Sequence, residues 1–223
     1  MRSCRPETGR RAVVVLAAAM ALAGCSSDGG DWNELLTASL HYWNSDSDHV
    51  SIEEAAQIPF ATLGIRIDGG PEQVLVLATD DDGVRLWTSS GHVSLETRDG
   101  RVIRTSGFGT DLSAHIASDN GVEDWLQPHA YAWVADFHDL GRYSVQMSCR
   151  VAPQGRDSIK ILGKVLDTVR VDEHCESAGV NWNIENTYWV SPRTRRVWRS
   201  IQHFHPNGPE IEVEYLRPPE GDR

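Results

Sequence analysis

The spacing of apolar residues changes close to residue 60, from a helical period to the alternation that is typical of β-strands. Two helices are predicted before this point. The second begins where Ser51 and Glu54 form a capping box, and Pro59 limits it to about two turns. A first helix is predicted after the capping residue Asp31, because five apolar residues share one helical face. They are Trp32, Leu35, Leu36, Leu40 and Trp43.

Beyond residue 60, short stretches rich in β-branched residues are separated by turn residues. Asp99-Gly100 is the strongest hairpin signal, because glycine accepts the positive φ of a two-residue turn. The mixed stretch 111–124 is predicted to contain a short helix. The pattern therefore predicts a mainly β fold: an antiparallel β-barrel-like or sandwich domain with short N-terminal helices. The predicted strands cover residues 61–67, 73–79, 84–89, 93–97, 101–105, 133–138, 143–151, 158–171, 186–190, 196–204 and 210–216.

The N-terminus has the organisation of a bacterial secretion signal. A basic head precedes the apolar run 12–23, which is too short to span the roughly 30 Å hydrocarbon core of a bilayer. The run ends in Leu22-Ala23-Gly24-Cys25, where small residues suit a peptidase cleft and the thiol suits diacylglyceryl transfer. We therefore predict a signal peptide over 1–24 and acylation of Cys25, so that palmitate would be incorporated; the alternative is an ordinary signal with a chance cysteine. A lipidated tether over 25–30, a single β-rich domain over 31–217 and a frayed tail over 218–223 follow.

Charge and cysteine content narrow the possible roles. The formal net charge is −11, and it becomes about −14 without residues 1–24, which argues against binding nucleic acid or an anionic membrane surface through bulk charge. Cys4 leaves with the signal and Cys25 is acylated, so Cys149 and Cys175 are predicted to form a disulfide in an oxidising compartment. Two free thiols are the alternative.

Several segments together resemble the YjbF/GfcB (YmcC-like) family of bacterial lipoproteins, which are associated with exopolysaccharide and capsule operons. The segments are 58–61 (IPFA), 95–112 (LETRDGRVIRTSGFGTDL), 186–190 (NTYWV), 197–202 (VWRSIQ) and 216–219 (LRPP). The resemblance implies a β-barrel-like domain with N-terminal helices, and it supplies no active site. Ser26 after the acylated cysteine favours the outer membrane over the inner membrane in enterobacterial-type sorting.

Tryptophan and arginine are the side chains with possible ligand chemistry. The eight tryptophans either stack on sugar rings or fill a β core, and Trp87 is expected to be more accessible than the others because polar residues surround it. Adjacent Tyr188 and Trp189 cannot both face the core of a strand. Arginines bind carboxylates, which many exported polysaccharides carry; the alternative is pairing with nearby Asp and Glu. The candidate ligand-binding residues are Trp87, Arg101, Arg104, Tyr188 and Arg199.

Catalytic and metal-binding signals are weak. His203 and His205 would lie on one strand face, but the spacing specifies no third ligand, and neither HExxH nor GxSxG occurs. Gly107-Phe-Gly109 is better interpreted as a turn than as a phosphate loop. We therefore predict no catalytic residue, no metal and no cofactor.

Together these observations favour a non-enzymatic accessory lipoprotein, anchored by lipid to the periplasmic side of the outer membrane. It would assist exopolysaccharide or capsule production or export by binding the polymer or an export-machinery partner. Two alternatives are an envelope polysaccharide hydrolase or esterase that uses carboxylates of the β-domain, and a scaffold protein without sugar contact.

Overall fold

The computed structural model describes residues 49–117, 124–177, 179 and 181–219. Four predictions therefore lie outside the described residues: the signal peptide, acylated Cys25 with its tether, the first helix over 31–43, and residues 220–223 of the tail. Within the described part, no helix has the length and apolar character needed to cross a membrane.

Helix α1 spans Ile52–Gln57 and begins as predicted. The Ser51 hydroxyl accepts a hydrogen bond from the Glu54 N–H at 3.1 Å, and the Glu54 carboxylate accepts one from the Ser51 N–H at 2.7 Å. The helix ends before Pro59, and Ile58 already has extended backbone angles.

The described β-strands form one antiparallel sheet of twelve strands, which confirms the predicted fold class. The order of neighbours runs from β5 through β4, β3, β2, β1, β12, β11, β10, β9, β8 and β7 to β6. The sheet curls until β5 approaches β6, and a nearly closed barrel results. The strands are β1 Thr62–Ile67, β2 Gln73–Asp81, β3 Val84–Thr88, β4 Ser94–Arg98, β5 Arg101–Ser106, β6 Ala114–Ala117, β7 His129–Phe137, β8 Arg142–Ile161, β9 Lys164–Ser177, β10 Asn183–Val190, β11 Val197–His203 and β12 Glu210–Arg217.

One prediction about local structure is wrong, and a second differs from the structure in the part of its range that is described. The expected strand 158–171 is divided by a turn at Leu162 and Gly163, which both have positive φ angles, so β8 and β9 are the arms of one long hairpin. The mixed stretch 111–124 contains strand β6 instead of a short helix in its described part, because Ala114–Ala117 pairs with β7.

Alternate residues of most strands point into the barrel and form its core. The interior includes Leu63, Ile65, Leu75, Trp87, Leu95, Val102, Trp133, Phe137, Met147, Val171, Ile184, Tyr188, Ile211 and Val213. The predicted disulfide is confirmed: Cys149 and Cys175 are buried, directly opposite each other on β8 and β9, with 4.0 Å between their Cα atoms. In the chain-entropy model a loop of this size stabilises the fold by about 3–4 kcal/mol.

The distal half of the β8–β9 hairpin covers part of the outer barrel surface. The Arg199 guanidinium donates to the Lys160 carbonyl oxygen at 3.1 Å, and the Trp189 indole donates to the Asp157 carboxylate at 2.8 Å. At the hairpin tip, Leu162 packs on a second apolar cluster that is formed by Val50, Ala55, Ile58, Val74 and Val76. There, outward-facing Arg199 on β11 is half-buried and outward-facing Glu214 on β12 is buried.

The Asp99-Gly100 hairpin forms as predicted, with φ angles of 51° and 82°. Glycine is required at position 100 for a second reason, since a Cβ there would lie 2.4 Å from the Val197 Cβ. The β4–β5 turn therefore contacts the start of β11, so the β4–β5 and β10–β11 hairpins meet at this point.

Candidate functional site at one end of the barrel

A pocket of about 420 Å³ opens at one end of the barrel, and we refer to it as the barrel-end pocket. This volume lies within the range of small-ligand sites, about 300–1,000 Å³. The turns β2–β3, β4–β5 and β10–β11 and the segment before β7 provide most of its wall. The lining residues are Gly83, Arg85, Asp99, Gly100, Asp124, Trp125, Thr194, Arg195, Arg196, Val197 and Tyr215.

The antiparallel order of the sheet explains why these segments meet. Strands β2, β4 and β10 run in the same direction, so the hairpin turns that follow them emerge at the same end of the barrel. The contact between Gly100 and Val197 then sets the distance between two of the turns. The pocket is therefore a product of topology, because its residues are separated by more than a hundred positions in sequence.

Three arginines line this pocket, and the described structure gives each a different environment. The Arg85 guanidinium donates to the Asp80 carboxylate at 2.8 Å and to the Tyr215 hydroxyl at 3.2 Å. Arg196 lies over the Trp198 ring, with 4.9 Å to the ring centre. Arg195 and Asp124 form an ion pair at 3.1 Å, with 53% and 39% of their side chains exposed. The Arg195 pair is the most accessible of these interactions.

Trp125 joins the pocket to the barrel interior. Its indole N–H donates to the Asp99 carbonyl oxygen at 3.0 Å, and its ring centre lies 4.2 Å from that of Tyr188. The Arg101 guanidinium lies 4.6 Å from the same ring. Trp125 is 5% exposed, so it forms a rigid wall of the pocket and not a free stacking platform.

Beneath Trp125, the buried carboxylate of Glu173 organises the interior polar residues, with 1% of its side chain exposed. Arg101 donates to it at 2.6 Å, Tyr131 at 2.7 Å, Asn186 at 2.8 Å and Tyr188 at 3.0 Å. All lone-pair directions of the carboxylate are thus used by donors from β5, β7 and β10. We call Arg101, Tyr131, Glu173, Asn186 and Tyr188 the interior network.

The pKa values in the interior network depend on burial, on the Arg101–Glu173 ion pair and on the hydrogen bonds to Glu173. Burial alone would raise the pKa of Glu173, but the Arg101 charge and the hydrogen bonds from Asn186 and Tyr131 outweigh it, so the pKa lies below its ordinary value. The pKa values of Tyr131 and Tyr188 are raised well above normal by burial and by the nearby Glu173 charge. Glu173 is therefore ionised, and both phenols remain protonated donors at neutral pH.

Gln202 on β11 fixes the β4–β5 hairpin from inside the barrel. Its side-chain oxygen accepts from the Val102 N–H at 2.9 Å, and its amide nitrogen donates to the Gly100 carbonyl oxygen at 2.9 Å. The turn that carries part of the pocket wall is thereby held by an amide that is itself 3% exposed.

The candidate residues Trp87 and Tyr188 are completely buried. The expectation that Trp87 is accessible is wrong: its indole donates to the Thr97 hydroxyl at 2.9 Å and its ring packs edge-on against Tyr215. Polar neighbours in sequence misled the prediction: Thr88 points to the other face of β3, whereas Arg85, on the same face as Trp87, reaches the Tyr215 hydroxyl. Tyr188 faces inward and half-buried Trp189 outward, as their adjacency requires. Tyr188 therefore supports the pocket wall through Trp125 and cannot meet a ligand at the surface.

The three candidate arginines all pair with carboxylates, which was the alternative interpretation of their sequence positions. Arg101 binds Glu173 as described. Arg104 binds Glu96 at 2.9 Å and also donates to the Ser113 carbonyl oxygen at 3.1 Å, across the junction of β5 with the chain before β6. None of the three lines the barrel-end pocket. Substitution of Arg101 would leave Glu173 buried without its cation, so that variant would report on folding.

Arg199 lies on the outer face of the barrel, where it pairs with Glu214 and, at 3.3 Å, with Glu212. Burial beneath the β8–β9 hairpin raises the pKa of Glu214 to about 7, although the Arg199 charge acts in the opposite direction. Arg199 therefore belongs to the contact between the hairpin and the barrel.

The histidines do not converge on a metal ion in the described structure. His203 hydrogen-bonds the Glu185 carbonyl oxygen at 3.1 Å, whereas buried His205 hydrogen-bonds Asp139 at 3.0 Å. Half-buried His115 stacks on Trp133, and burial together with the Arg101 charge lowers its pKa to about 3. Among the described residues, no group of three or more His, Cys, Asp or Glu side chains is arranged to hold a metal.

Sequence reasoning missed Glu173, Trp125 and Arg195. Glu173 had a usable signal, since it lies two positions before Cys175 and therefore shares the inward face of β9. Trp125 and Arg195 had none, because each lies in an irregular segment whose position depends on how the sheet closes.

The comparisons with known proteins agree with this fold. A family model described as "Group 4 capsule polysaccharide lipoprotein gfcB, YjbF" matches residues 34–216, which is most of the chain. The chain belongs to the YjbF family of lipoproteins. Membership confirms the resemblance that the sequence segments indicated, and it places the chain in the context of capsule polysaccharide.

Individual members of the YjbF family are distant in sequence. The "Uncharacterized lipoprotein GfcB" of Escherichia coli (strain K12) is 23% identical over 217 residues, which cover 93% of this chain and 99% of that protein. The "Uncharacterized lipoprotein YjbF" of the same strain is 26% identical over 145 residues, which cover 62% of this chain and 66% of that protein. The crystal structure of the hypothetical lipoprotein YmcC from Escherichia coli (K12) has a TM-score of 0.63 at 22% identity, covering 82% of this chain and 93% of that one. At this identity the similarity to YmcC shows a shared fold.

Proposed function

We propose that this YjbF-family protein is a lipid-anchored accessory protein on the periplasmic side of the outer membrane. It assists production or export of an exopolysaccharide or capsule by binding the polymer at the barrel-end pocket, and it catalyses no reaction on it. The observation that supports binding is the pocket itself: hairpin turns, arginines and a rigid tryptophan wall converge at one open end of a closed β core.

The environment of the carboxylates favours a binding role over hydrolysis. Glycosidases use two facing carboxyl groups, one of which must remain available as an acid or base. Glu173 is occupied by four donors in the interior, and Glu214 is paired with Arg199 on the outer face. Asp124, in the pocket wall, is paired with Arg195.

The proposal is tested by blocking the pocket with a large side chain. Thr194 is exposed and lines the pocket, so Thr194→Trp fills the space without disturbing the core. Arg193 is an exposed residue of the same turn that does not line the pocket, so Arg193→Trp is the matched control. In cells that depend on this gene for surface polysaccharide, we expect Thr194→Trp to lower the exported polymer and Arg193→Trp to leave it unchanged.

Immunoblots of membrane fractions show whether both variants accumulate equally, and a Cys25→Ser variant tests the anchor. We expect Cys25→Ser to incorporate no labelled palmitate and to leave the membrane fraction. Normal export by a stable Thr194→Trp protein would refute polymer binding at the pocket, and membrane retention of Cys25→Ser would refute the lipid anchor.

A further inference from the structure

We propose that the distal half of the β8–β9 hairpin is a proton-gated strap: it lies closed over the outer face of β11 and β12 while Glu214 is protonated, and it opens more readily once Glu214 is ionised. We call residues 156–168 the strap. The proposal does not depend on polymer binding at the barrel-end pocket. Three features of the fold carry it: a hinge at the base of the strap, the few contacts that hold the strap on the barrel, and two carboxylates that share one arginine beneath it.

A β-bulge separates the strap from the part of the hairpin that belongs to the barrel wall. The pairing of β8 with β9 shifts register between Pro153 and Gly155. Gly155 has a φ angle of 133°, which residues other than glycine rarely adopt. Bulges bend the strand that contains them. The bulge is therefore the hinge at which the hairpin leaves the wall, and beyond it the two arms pair again as far as Ile161 and Lys164 at the tip.

The strap rests on the barrel through a small number of contacts. In the part of the chain that the structure describes, residues 156–161 and 164–168 pair as strands only with each other. Ile159 and Ile161 are 6% and 5% exposed, so one face of the strap is apolar and covered. Trp189 and Arg199 donate the hydrogen bonds described above to the β8 arm. The strap can therefore lift without breaking any strand pairing of the barrel.

Two carboxylates of β12 share one guanidinium beneath the strap. Arg199 pairs with Glu214 and, at 3.3 Å, with Glu212. The Glu214 side chain is 10% exposed and that of Arg199 is 22% exposed. One guanidinium neutralises only one of the two carboxylates, so a proton on Glu214 balances the remaining charge. Burial raises the pKa of Glu214 to about 7, and Glu212 and Glu72 act in the same direction, against the Arg199 charge.

The strap covers a region that is already rich in carboxylates. Glu72 lies against Gly64 of β1, and Gly64 pairs directly with Glu214. Residues of β8 and β12 contact each other although the two strands are not neighbours in the sheet. Ionisation of Glu214 adds a fourth carboxylate to a region with three basic side chains and one histidine. Besides Arg199 and Glu212, the charged or titratable residues are Arg66 on β1, Glu72 before β2, His49 before α1, and Asp157 and Lys160 on the strap.

The direction of the pH effect follows from the protonation of Glu214. Opening the strap hydrates the carboxyl group and returns its pKa from about 7 towards the ordinary value of 4.5. The closed strap therefore holds a proton that the open strap releases, so closure is favoured fully below pH 4.5 and this contribution is lost as the pH rises through about 7. For these two pKa values, the equilibrium constant for opening increases about 70-fold between pH 5 and pH 8.

Hydrogen exchange followed by mass spectrometry tests the proposal on the full-length protein in detergent. Wild type and Glu214→Gln are compared at each pH, so that the intrinsic pH dependence of exchange cancels. We expect the ratio of the exchange rates of strap peptides, wild type over Glu214→Gln, to rise at least about tenfold between pH 5 and pH 8. Glu185 on β10 has a side chain that is 87% exposed, so Glu185→Gln is the matched control and should behave as wild type does.

Trypsin cleavage at pH 8 provides a second measurement, because exposed Arg156, Lys160 and Lys164 place cleavage sites on the strap. Wild type should be cut there at least about tenfold faster than Glu214→Gln. If Glu214→Gln fails to accumulate, Glu212→Gln replaces it in the exchange experiment. This variant removes a neighbour that raises the pKa of Glu214, so its strap exchange should rise less with pH than that of wild type.

The outcomes decide the proposal in either direction. The same pH dependence in wild type and Glu214→Gln, or in wild type and Glu212→Gln where that variant is used, would overturn it. Loss of protection throughout the barrel together with the strap would also overturn it, because global unfolding would then explain the exchange. A rise that is confined to strap peptides and is abolished by Glu214→Gln would establish the proton-gated strap.

Discussion

Glu173→Gln is expected to destabilise the fold far more than an equivalent change at a surface ion pair. The substitution preserves the shape of the side chain but removes the charge that holds Arg101 inside the barrel. It also places an amide donor against donors from Tyr131, Tyr188 and Asn186. An arginine would then be buried without its counter-charge, and at least one buried donor would lose its acceptor.

The magnitude follows from burial. Breaking a buried ion pair by removal of one partner costs about 3–5 kcal/mol, whereas an exposed pair contributes about 0–1 kcal/mol. In the Arg101–Glu173 pair, 20% and 1% of the side chains are exposed, against 55% and 21% for Arg104–Glu96. Both pairs bind an arginine of β5 to a glutamate of another strand, so Glu96→Gln is the matched control.

Urea unfolding of the oxidised protein measures both effects. We expect the free energy of unfolding to fall by about 3–5 kcal/mol in Glu173→Gln and by less than about 1 kcal/mol in Glu96→Gln. For a chain of this size, the larger loss corresponds to a decrease in Tm of roughly 10 °C. The double variant Arg101→Met/Glu173→Gln should lose less than the sum of the two single variants, because they remove the same interaction.

The pH dependence gives an independent check. The pKa of Glu173 is lower in the folded than in the unfolded state, so its contribution is present above the ordinary glutamate pKa and is lost as the pH falls. The stability difference between wild type and Glu173→Gln should therefore shrink in acid. Equal costs for Glu173→Gln and Glu96→Gln, or a pH-independent difference, would refute the account of the interior network.

Two further predictions concern the outer face and the β4–β5 turn. The pKa of Glu214 is raised to about 7 by burial, so the unfolded chain releases this proton at lower pH than the folded protein does. Wild type should therefore lose stability relative to Glu214→Gln as the pH rises from about 4.5 to 7. Free energies of unfolding in urea that differ between the two proteins by the same amount at every pH would contradict this. Gly100→Ala should cost more than Gly83→Ala, because both glycines have φ near 80° but only a Cβ at position 100 would strike Val197. We expect about 1–2 kcal/mol for Gly83→Ala and a further 1–3 kcal/mol for Gly100→Ala, and equal losses on thermal unfolding would exclude the steric contact.

The agreement between sequence and structure is best where the determinants are local. The capping box of Ser51 and Glu54 specifies a helix start by two hydrogen bonds three residues apart. Asp99-Gly100 specifies its hairpin by backbone conformation alone. Alternation predicted most of the strands, but it failed at Leu162-Gly163, where a non-glycine residue with positive φ starts a turn inside an apolar stretch.

By itself, the sequence determined the β class, most of the strand positions, the pairing of Cys149 with Cys175, and the family to which the chain belongs. These properties depend on periodicity, on turn chemistry and on counting cysteines, which act over a few residues or need no geometry. Which arginine meets which acid, and which aromatic ring reaches the surface, was decided only by the tertiary structure. The direction of curl and the order of the twelve strands bring the Arg195 turn beside Trp125 and leave Trp87 in the core. No local pattern encodes such contacts, because they join segments that become neighbours only when the barrel closes.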